Sequence, residues 1–286
     1  MSKSSPPGKL RQRILTALLL LPLAVAAVLY LPTAWLGALL AILMLLAAGE
    51  WAQLAGCARM RERGSYILCI ASLGALAAWG IWAYAYTSFA LTSLALLWWI
   101  YAFVDLWRHG DRASGPYQSS GGRLIIGVLV LVPAWLAALH LHRTGAMGPA
   151  LVLYALALVW VADTSAYFVG RAWGRTPLAP KVSPGKTVEG LLGALLSVVV
   201  VAYFCGTMIW RFSGRMLGGW MLLAIATVLV SVVGDLVESK LKRLAGVKDS
   251  GAWLPGHGGV LDRIDALTAA VPVFAWGWTL FLKVGT

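Results

Sequence analysis

The chain has 286 residues, of which 60% are hydrophobic and only 12% are charged, and its mean hydropathy is +0.81. Soluble domains carry about 25% charged residues, so this composition excludes a soluble globular domain and predicts an all-α integral membrane protein. The net charge of +12 suits an anionic membrane surface and gives no reason to expect nucleic acid as a partner.

Apolar runs long enough to cross a bilayer core of about 30 Å follow one another along the chain. They predict about nine transmembrane helices, at about residues 14–31, 33–52, 66–82, 84–105, 124–141, 147–169, 188–210, 216–237 and 263–282. Lys3, Lys9, Arg11 and Arg13 precede the first run, as basic residues do in a signal peptide. That run is longer than a typical signal core, so we expect an uncleaved helix, with a cleaved signal as the alternative.

The distribution of charge predicts how these helices are oriented, because positively charged loops stay in the cytosol. A cytosolic N-terminus with nine spans puts the C-terminus on the opposite side. Only four of the 23 lysines and arginines then face that opposite side, namely Arg143, Arg211, Arg215 and Lys283. All eleven acidic residues fall in cytosolic loops or near cytosolic helix ends. The nine-span model is therefore consistent with the positive-inside rule.

We divide the chain into two regions. Residues 1–150 hold about five spans with short basic cytosolic loops, and residues 151–286 hold about four spans with cytosolic loops at 170–188 and 239–262. The short loops and compact chain favour a multi-pass protein of a bacterial inner (cytoplasmic) membrane.

Some acidic residues lie in strongly apolar sequence, where an ionised carboxylate is costly and usually marks a working site. These are Asp163, Asp235, Asp262 and Asp265. Asp235, Glu238 and Ser239 share one face of the eighth span, and Asp262 and Asp265 share a face at the start of the ninth. Carboxylates brought together in this way suit Mg²⁺. The alternative is that each acid reaches the headgroups or pairs with a loop arginine.

The longest polar interval of the chain, residues 239–265, joins these two spans. It reads SKLKRLAGVKDSGAWLPGHGGVLDRID and includes Lys242, Arg243, Lys248, Asp249 and Arg263. Its glycines permit a tight turn, and the mixture of charges suits phosphate and metal chemistry. For His257 the sequence leaves three roles open: metal ligand, acid/base group, or hydrogen-bond donor to phosphate or backbone.

A second polar loop, residues 170–190, reads GRAWGRTPLAPKVSPGKTVEG and contains four bases and no acid before Glu189. We expect residues 183–187 to open a helix with Thr187 as its cap, where free N–H groups attract phosphate. The GKT tripeptide is not a P-loop, because Pro180 stands where that motif requires glycine. A purely basic anchor loop is the alternative.

Residues 239–265 resemble the signature of the phosphatidate cytidylyltransferases, also called CDP-diacylglycerol synthases. The matching positions are Ser239, Leu241, Lys242, Arg243, Lys248, Asp249, Gly251, Leu254, Pro255, His257, Gly258, Gly259, Val260, Asp262, Arg263, Ile264 and Asp265. The upstream VSPGKTVEG, and Asp163, Thr164, Ala166 and Tyr167 with Gly170 and Arg171, also resemble loops of that family. The resemblance covers about residues 160–270. The first 150 residues agree in hydropathy only.

The resemblance implies a nucleotidyltransferase of phospholipid biosynthesis. Such an enzyme transfers the CMP moiety of CTP to phosphatidic acid within membrane lipid, giving CDP-diacylglycerol and pyrophosphate. It also implies Mg²⁺ with a second cation, monovalent or divalent, and a homodimer with its active site facing the cytosol. A CTP-dependent membrane lipid kinase is the alternative. A secondary transporter is a weaker one, because its acids typically lie near the membrane midplane.

The resemblance also implies roles for the candidate residues. Asp235 and Asp262 are expected to bind the metal pair, with Glu238, Asp249 and Asp265 as additional ligands or as residues that hold the ligands. Contacts to the triphosphate or to the lipid phosphate are expected from Lys242, Arg243, Lys248 and Arg263. Ser239 is expected to bind substrate, and His257 is expected at the catalytic site with its role open. A second phosphate-binding loop is expected at Ser183, Lys186 and Thr187, positioned by Asp163 and Glu189.

Overall fold

The computed structural model of the chain describes residues 7–83, 86–253 and 258–285. These residues form nine α-helices: α1 (Pro7–Tyr30), α2 (Thr33–Leu54), α3 (Met60–Ala83), α4 (Thr87–His109), α5 (Ser120–His142), α6 (Gly148–Trp173), α7 (Val188–Phe204), α8 (Gly214–Leu244) and α9 (Leu261–Gly285). Short 3-10 turns lie at Gly115–Gln118 and Gly145–Met147, and a π turn at Cys205–Ile209. Two strands, β1 (Pro177–Ala179) and β2 (Ser183–Thr187), form a small antiparallel hairpin.

Eight of these helices, α2 to α9, are long and apolar enough to cross a membrane, and α1 contributes a shorter apolar segment over Leu21–Tyr30. A helix therefore lies at each of the nine predicted spans in the described part of the chain. The predicted class, an all-α integral membrane protein, is confirmed. The β1–β2 hairpin is the only β-sheet found among the described residues.

Helix α9 packs at the centre of the bundle. Its buried Val273 belongs to an apolar cluster built mainly from α2, α3, α4 and α5, and the adjacent Phe274 belongs to a second cluster with α6, α7 and α8. The N-terminal and C-terminal halves of the chain are thus joined through one helix.

Polar contacts show which helix ends meet at one end of the bundle. The indole N–H of Trp51, near the end of α2, donates to the carbonyl oxygen of Arg123 at 2.8 Å, and the hydroxyl of Tyr66 in α3 donates to that of Leu124 at 3.0 Å. Other contacts join α4 to α8, α2 to the start of α9, and the hairpin after α6 to both α7 and α8. The last turns of α2, α4, α6 and α8 and the first turns of α3, α5, α7 and α9 therefore share this end. We call it the polar end, because the two polar loops of the chain lie there.

Helix α8 is longer than the sequence pattern predicted. It continues to Leu244, so residues 239–243 are helical and do not belong to the predicted loop 239–262. The chain turns away from the helix at Gly246, which adopts a positive φ of 71°. The amide of Gly246 donates to Arg243 and that of Val247 to Lys242, a Schellman cap in which glycine avoids a Cβ clash. The polar residues of 239–243 are good helix formers. The helix therefore continues beyond residue 237, where the apolar run ends.

A buried ion pair holds α8 to the N-terminal half. The Lys240 ammonium lies 2.6 Å from the Asp105 carboxylate of α4, and both side chains are almost completely buried. The Ser114 hydroxyl also donates to Asp105, and the ring of Tyr117 lies 4.6 Å from the Lys240 ammonium. Burial raises the pKa of the Tyr117 phenol, so this ring stays neutral beside the cation.

We expect this pair to be costly to break from one side only, because the remaining charge would be buried without its partner. Asp105→Leu or Lys240→Met alone should lower the free energy of unfolding by about 3–5 kcal/mol. The double variant should lose much less than the sum of the two. The measurement is an SDS titration of the purified protein in mixed micelles.

Arg108→Met provides the control, because Arg108 lies on α4 with Asp105 and has an exposed side chain. It should change the free energy of unfolding by no more than about 0.5 kcal/mol. Additive losses in the Asp105 and Lys240 double variant would show that the two charges do not stabilise each other.

Candidate active site

Charged side chains from α6, β2, α8 and α9 gather at the polar end of the bundle. We call them the charged cluster: Asp163, Lys186, Asp235, Glu238, Lys242, Asp262 and Asp265. Lys186 of β2 lies 2.6 Å from the Asp235 carboxylate. Lys242 lies 2.5 Å from Glu238 and 2.7 Å from Asp262, so it bridges α8 and α9. Asp163 lies within electrostatic range of Lys186 and Asp235.

Close packing of α8 against α9 brings the acids of the two helices together. A Cβ at Gly234 would lie 2.7 Å from the carbonyl oxygen of Asp265 and 2.9 Å from Ala269, so only glycine allows this approach. The next residue, Asp235, thereby comes within electrostatic range of Asp265. The predicted convergence of acids from the eighth and ninth spans is present in the structure.

Asp262 is the most strongly anchored acid of the charged cluster. One carboxylate oxygen accepts from the ammonium of Lys242, and the other accepts from the backbone N–H groups of Ser250 at 3.0 Å and Gly259 at 2.8 Å. Since Ser250 lies after α8 and Gly259 lies before α9, Asp262 draws the two ends of the α8–α9 loop together.

The second polar loop forms the β1–β2 hairpin and not the helix start predicted for residues 183–187. Pro184 and Gly185 are poor helix formers, and Thr187 is extended, with φ −123° and ψ 153°. The predicted capping role of Thr187 is confirmed, because its side chain accepts from the amide of Gly190 at 3.1 Å. Lys186 thus projects from a strand that ends at the cap of α7.

Glu189, in the first turn of α7, ties the start of the hairpin to that helix. Its carboxylate accepts from the backbone N–H groups of Arg175 and Thr176 at 3.1 Å. The Arg243 side chain of α8 donates to the carbonyl oxygen of Val182 at 3.4 Å and so reaches the hairpin from the other side. The loop that carries Lys186 is held between α7 and α8.

The remaining predicted site residues lie on α8, on β2, on the loop after α8 and in the first turn of α9. Ser239 donates to Asp235 at 3.3 Å, and Ser183 is half-buried at the start of β2. Lys248, Asp249 and Arg263 are exposed, on the loop after α8 and in the first turn of α9. The prediction for His257 falls outside the described residues.

Sequence analysis did not single out Glu50 or the pair of Asp105 and Lys240. Glu50 lies near the end of α2 with 3% of its surface exposed and accepts hydrogen bonds from the loop that begins after α8. Its position within an apolar run is the same signal that identified Asp163 and Asp235. Applied to the first 150 residues, that signal would have found it.

The donor atoms of the charged cluster fit a divalent cation that is bound together with phosphate. Glu238 is buried; one of its carboxylate oxygens lies against the Lys242 ammonium, and the other has no hydrogen-bond partner among the described residues. No set of three His, Cys, Asp or Glu residues in the described ranges converges closely enough to hold a metal alone. Mg²⁺ usually takes one or two carboxylates and completes its shell with substrate phosphates and water.

Comparisons with known proteins show which proteins this chain is similar to. The model of the cytidylyltransferase family matches residues 11–281. The chain is 40% identical over 274 residues to the phosphatidate cytidylyltransferase of Pseudomonas aeruginosa, covering 94% of this chain and 98% of that protein. It is 37% identical to the enzyme of the same name from Haemophilus influenzae, covering 93% and 98%. A third relative with that name, from Staphylococcus saprophyticus, is 42% identical over 138 residues, covering 47% and 51%.

The hairpin should loosen when Glu189 is replaced by Gln, because the amide has one acceptor oxygen where the carboxylate has two and adds N–H donors beside the backbone N–H groups of Arg175 and Thr176. We expect faster tryptic cleavage after Arg175 and Lys181 in detergent-solubilised protein, with the bundle otherwise intact. Glu62→Gln is the control, since Glu62 is an exposed acid that accepts from the Arg59 amide before α3. Equal cleavage rates in the parent and both variants would contradict the role of Glu189.

Proposed function

The chain belongs to the cytidylyltransferase family, and from this we propose that it transfers the CMP moiety of CTP to phosphatidic acid, giving CDP-diacylglycerol and pyrophosphate. The relatives that match almost the whole chain are phosphatidate cytidylyltransferases. The observation that carries the proposal is the charged cluster itself, in which ammonium groups and carboxylates from four elements meet at one end of a membrane bundle.

The proposed reaction is a single displacement at phosphorus. A phosphate oxygen of phosphatidic acid forms a bond to the α-phosphorus of CTP, and the bond from that phosphorus to the pyrophosphate oxygen breaks. The attacking phosphate is already deprotonated near neutral pH, so the reaction requires no general base. Both reactants are anions, and the first requirement of the site is to offset their repulsion.

The basic side chains of the site meet this requirement. Lys186 and Lys242 already pair with Asp235 and Asp262, so we propose that they exchange these carboxylates for phosphate oxygens when substrate arrives. Arg243, Lys248 and Arg263 lie exposed around the same end of the bundle. We assign them contacts to the triphosphate or to the lipid phosphate, with Ser183, Ser239 and Thr187 as neutral donors.

We propose Asp235 and Asp262 as the residues that hold Mg²⁺ and a second, monovalent or divalent, cation, with Glu238, Asp249 and Asp265 as additional ligands or supports. Such a cation would supply positive charge to the phosphates as negative charge moves onto the leaving pyrophosphate. Asp262 is suited to a fixed position because two backbone N–H groups hold it. Asp235, with 29% of its side chain exposed, faces the approach to the site.

We further propose that the polar end faces the cytosol in a bacterial inner membrane and that the protein works as a homodimer. Support for the orientation comes from the clustering of basic residues at the polar end, as the positive-inside rule requires. With that orientation, CTP reaches the charged cluster from the cytosol, and phosphatidic acid reaches it from the adjoining leaflet.

Products formed from labelled CTP test the proposed reaction against the kinase alternative. Purified protein with phosphatidic acid and Mg²⁺ should move the label of α-labelled CTP into the lipid fraction and release the label of γ-labelled CTP as pyrophosphate. A lipid kinase would give the reverse, with only the γ-label in lipid. That outcome would overturn the proposed transfer.

Neutralising the proposed metal ligands should nearly abolish turnover without unfolding the protein. We expect Asp235→Asn and Asp262→Asn each to lower kcat by at least about 100-fold, since a metal ion contributes several kcal/mol to such reactions. Glu62→Gln serves as the control. Yield and elution of the detergent-solubilised variants show whether they fold, and substantial activity in both Asn variants would exclude the metal assignment.

A further inference from the structure

Glu50 is a buried acid that the proposed reaction does not use. It lies near the C-terminal end of α2, in the half of the chain from which the family resemblance carries over no functional residue. Its side chain is only 3% exposed. A buried carboxylate in this setting requires hydrogen-bond donors, and those found among the described residues come from the loop between α8 and α9 and from the first residue of α9.

The first set of donors is the N-terminus of α9. One oxygen of Glu50 accepts from the amide of Val260 at 2.9 Å, and the other accepts from that of Leu261 at 2.7 Å. The first N–H groups of a helix have no partner within the helix, and a carboxylate is favoured beside them by the helix dipole. Glu50 therefore caps α9 from a helix that is more than 200 positions earlier in the chain.

The second donor is Ser250, at the other end of the same loop. Its hydroxyl donates to Glu50 at 2.9 Å, and its backbone N–H donates to Asp262. Ser250 is buried and is therefore fixed by two carboxylates, one from α2 and one from α9. Glu50 thus contacts the α8–α9 loop near both of its ends, at Ser250 and at Val260.

Glycines provide the space that this arrangement needs. A Cβ at either Gly251 or Gly259 would overlap with the carboxylate of Glu50. These two glycines lie on opposite sides of the loop, so the carboxylate occupies the gap between its two ends. The sequence analysis expected the glycines of this loop to permit a tight turn; Gly251 and Gly259 also admit a side chain from α2.

Glu50 is connected to the charged cluster through adjacent residues of the chain. Asp262 directly follows Leu261, whose amide Glu50 holds, and its carboxylate contacts Lys242 of α8. A shift of the start of α9 would move Asp262 away from Lys242 and from the amides of Ser250 and Gly259.

We propose that Glu50 is a positioning residue for cytidylyl transfer, an inference that rests on the proposed function. By capping α9 and gripping Ser250, its carboxylate holds the α8–α9 loop and Asp262 in the geometry that the reaction requires. In this role Glu50 acts through the residues that it holds, namely Ser250, Val260 and Leu261. The N-terminal half of the chain thus contributes to catalysis through one buried carboxylate.

The test is Glu50→Gln, which keeps the size of the side chain and replaces one acceptor oxygen by a donor group. Loss of a residue that orients a metal-binding group typically costs roughly 10- to 100-fold in activity. We expect kcat to fall by that factor, the Mg²⁺ concentration for half-maximal activity to rise, and the KM for phosphatidic acid to stay near the parent value. Glu62→Gln should leave all three unchanged.

Ser250→Ala separates a specific contact from general damage to the fold, because it removes only the hydroxyl that donates to Glu50. We expect it to lower kcat, and we expect the double variant with Glu50→Gln to be little worse than Glu50→Gln alone. Independent, multiplicative effects of the two changes would contradict the proposal. So would parental kcat and Mg²⁺ dependence in Glu50→Gln.

Hydrogen exchange gives a readout that does not depend on activity. In Glu50→Gln, the amides of Val260 and Leu261 should exchange faster, while those in the middle of α8 and α9 keep the parent rates. If the parent makes no labelled lipid from CTP, the proposed function fails, and exchange still decides whether Glu50 holds the loop. Unchanged exchange at both amides would overturn the proposal. Loss of protection throughout the bundle would assign Glu50 a role in folding and would also overturn it.

Discussion

The structure depends on one constraint, which is that charges at the end of a membrane bundle must be matched by opposite charges or by hydrogen bonds. An ionised group taken out of water without a partner costs several kcal/mol. Lys240 is matched by Asp105, Lys242 by Glu238 and Asp262, and Lys186 by Asp235. Each of these contacts joins two elements or two turns, so pairing the charges also sets the positions of α4, α8, α9 and the hairpin.

The same constraint explains why the first half of the chain matters to a site built from the second half. Asp105 and Glu50 are acids of α4 and α2, and their partners lie on α8 and on the α8–α9 loop. The first pair holds the helix that carries Asp235, and the second contact holds the loop before Asp262. Helices to which the sequence analysis assigned no functional residue, but which the family model also matches, therefore position the most specific segment of the chain.

Local patterns in the sequence predicted the parts of the site that depend on local geometry. The spacing of Asp235 with Glu238, and of Asp262 with Asp265, was sufficient to place each pair on one helix face. The pairing of Lys240 with Asp105 joins residues 135 positions apart, and the contact of Glu50 with Val260 joins residues 210 apart. Periodicity carries no information about such distant contacts. The hairpin was not predicted, because residues 183–187 were expected to open a helix with Thr187 as its cap. Thr187 is the cap, but Pro184 and Gly185 before it do not favour helix.

The length of α8 has a consequence for how a lipid is handled. Its 31 residues span about 46 Å, compared with about 30 Å for the hydrocarbon core of a bilayer. Asp235 and Arg243 lie about 12 Å apart along it, so acids and bases are spread over more than two turns of the helix at the polar end. A phospholipid can present its phosphate at this height while its acyl chains stay in hydrocarbon. Under the proposed function, a lipid that reacts without leaving the bilayer avoids a cost of about 0.8 kcal/mol for each methylene.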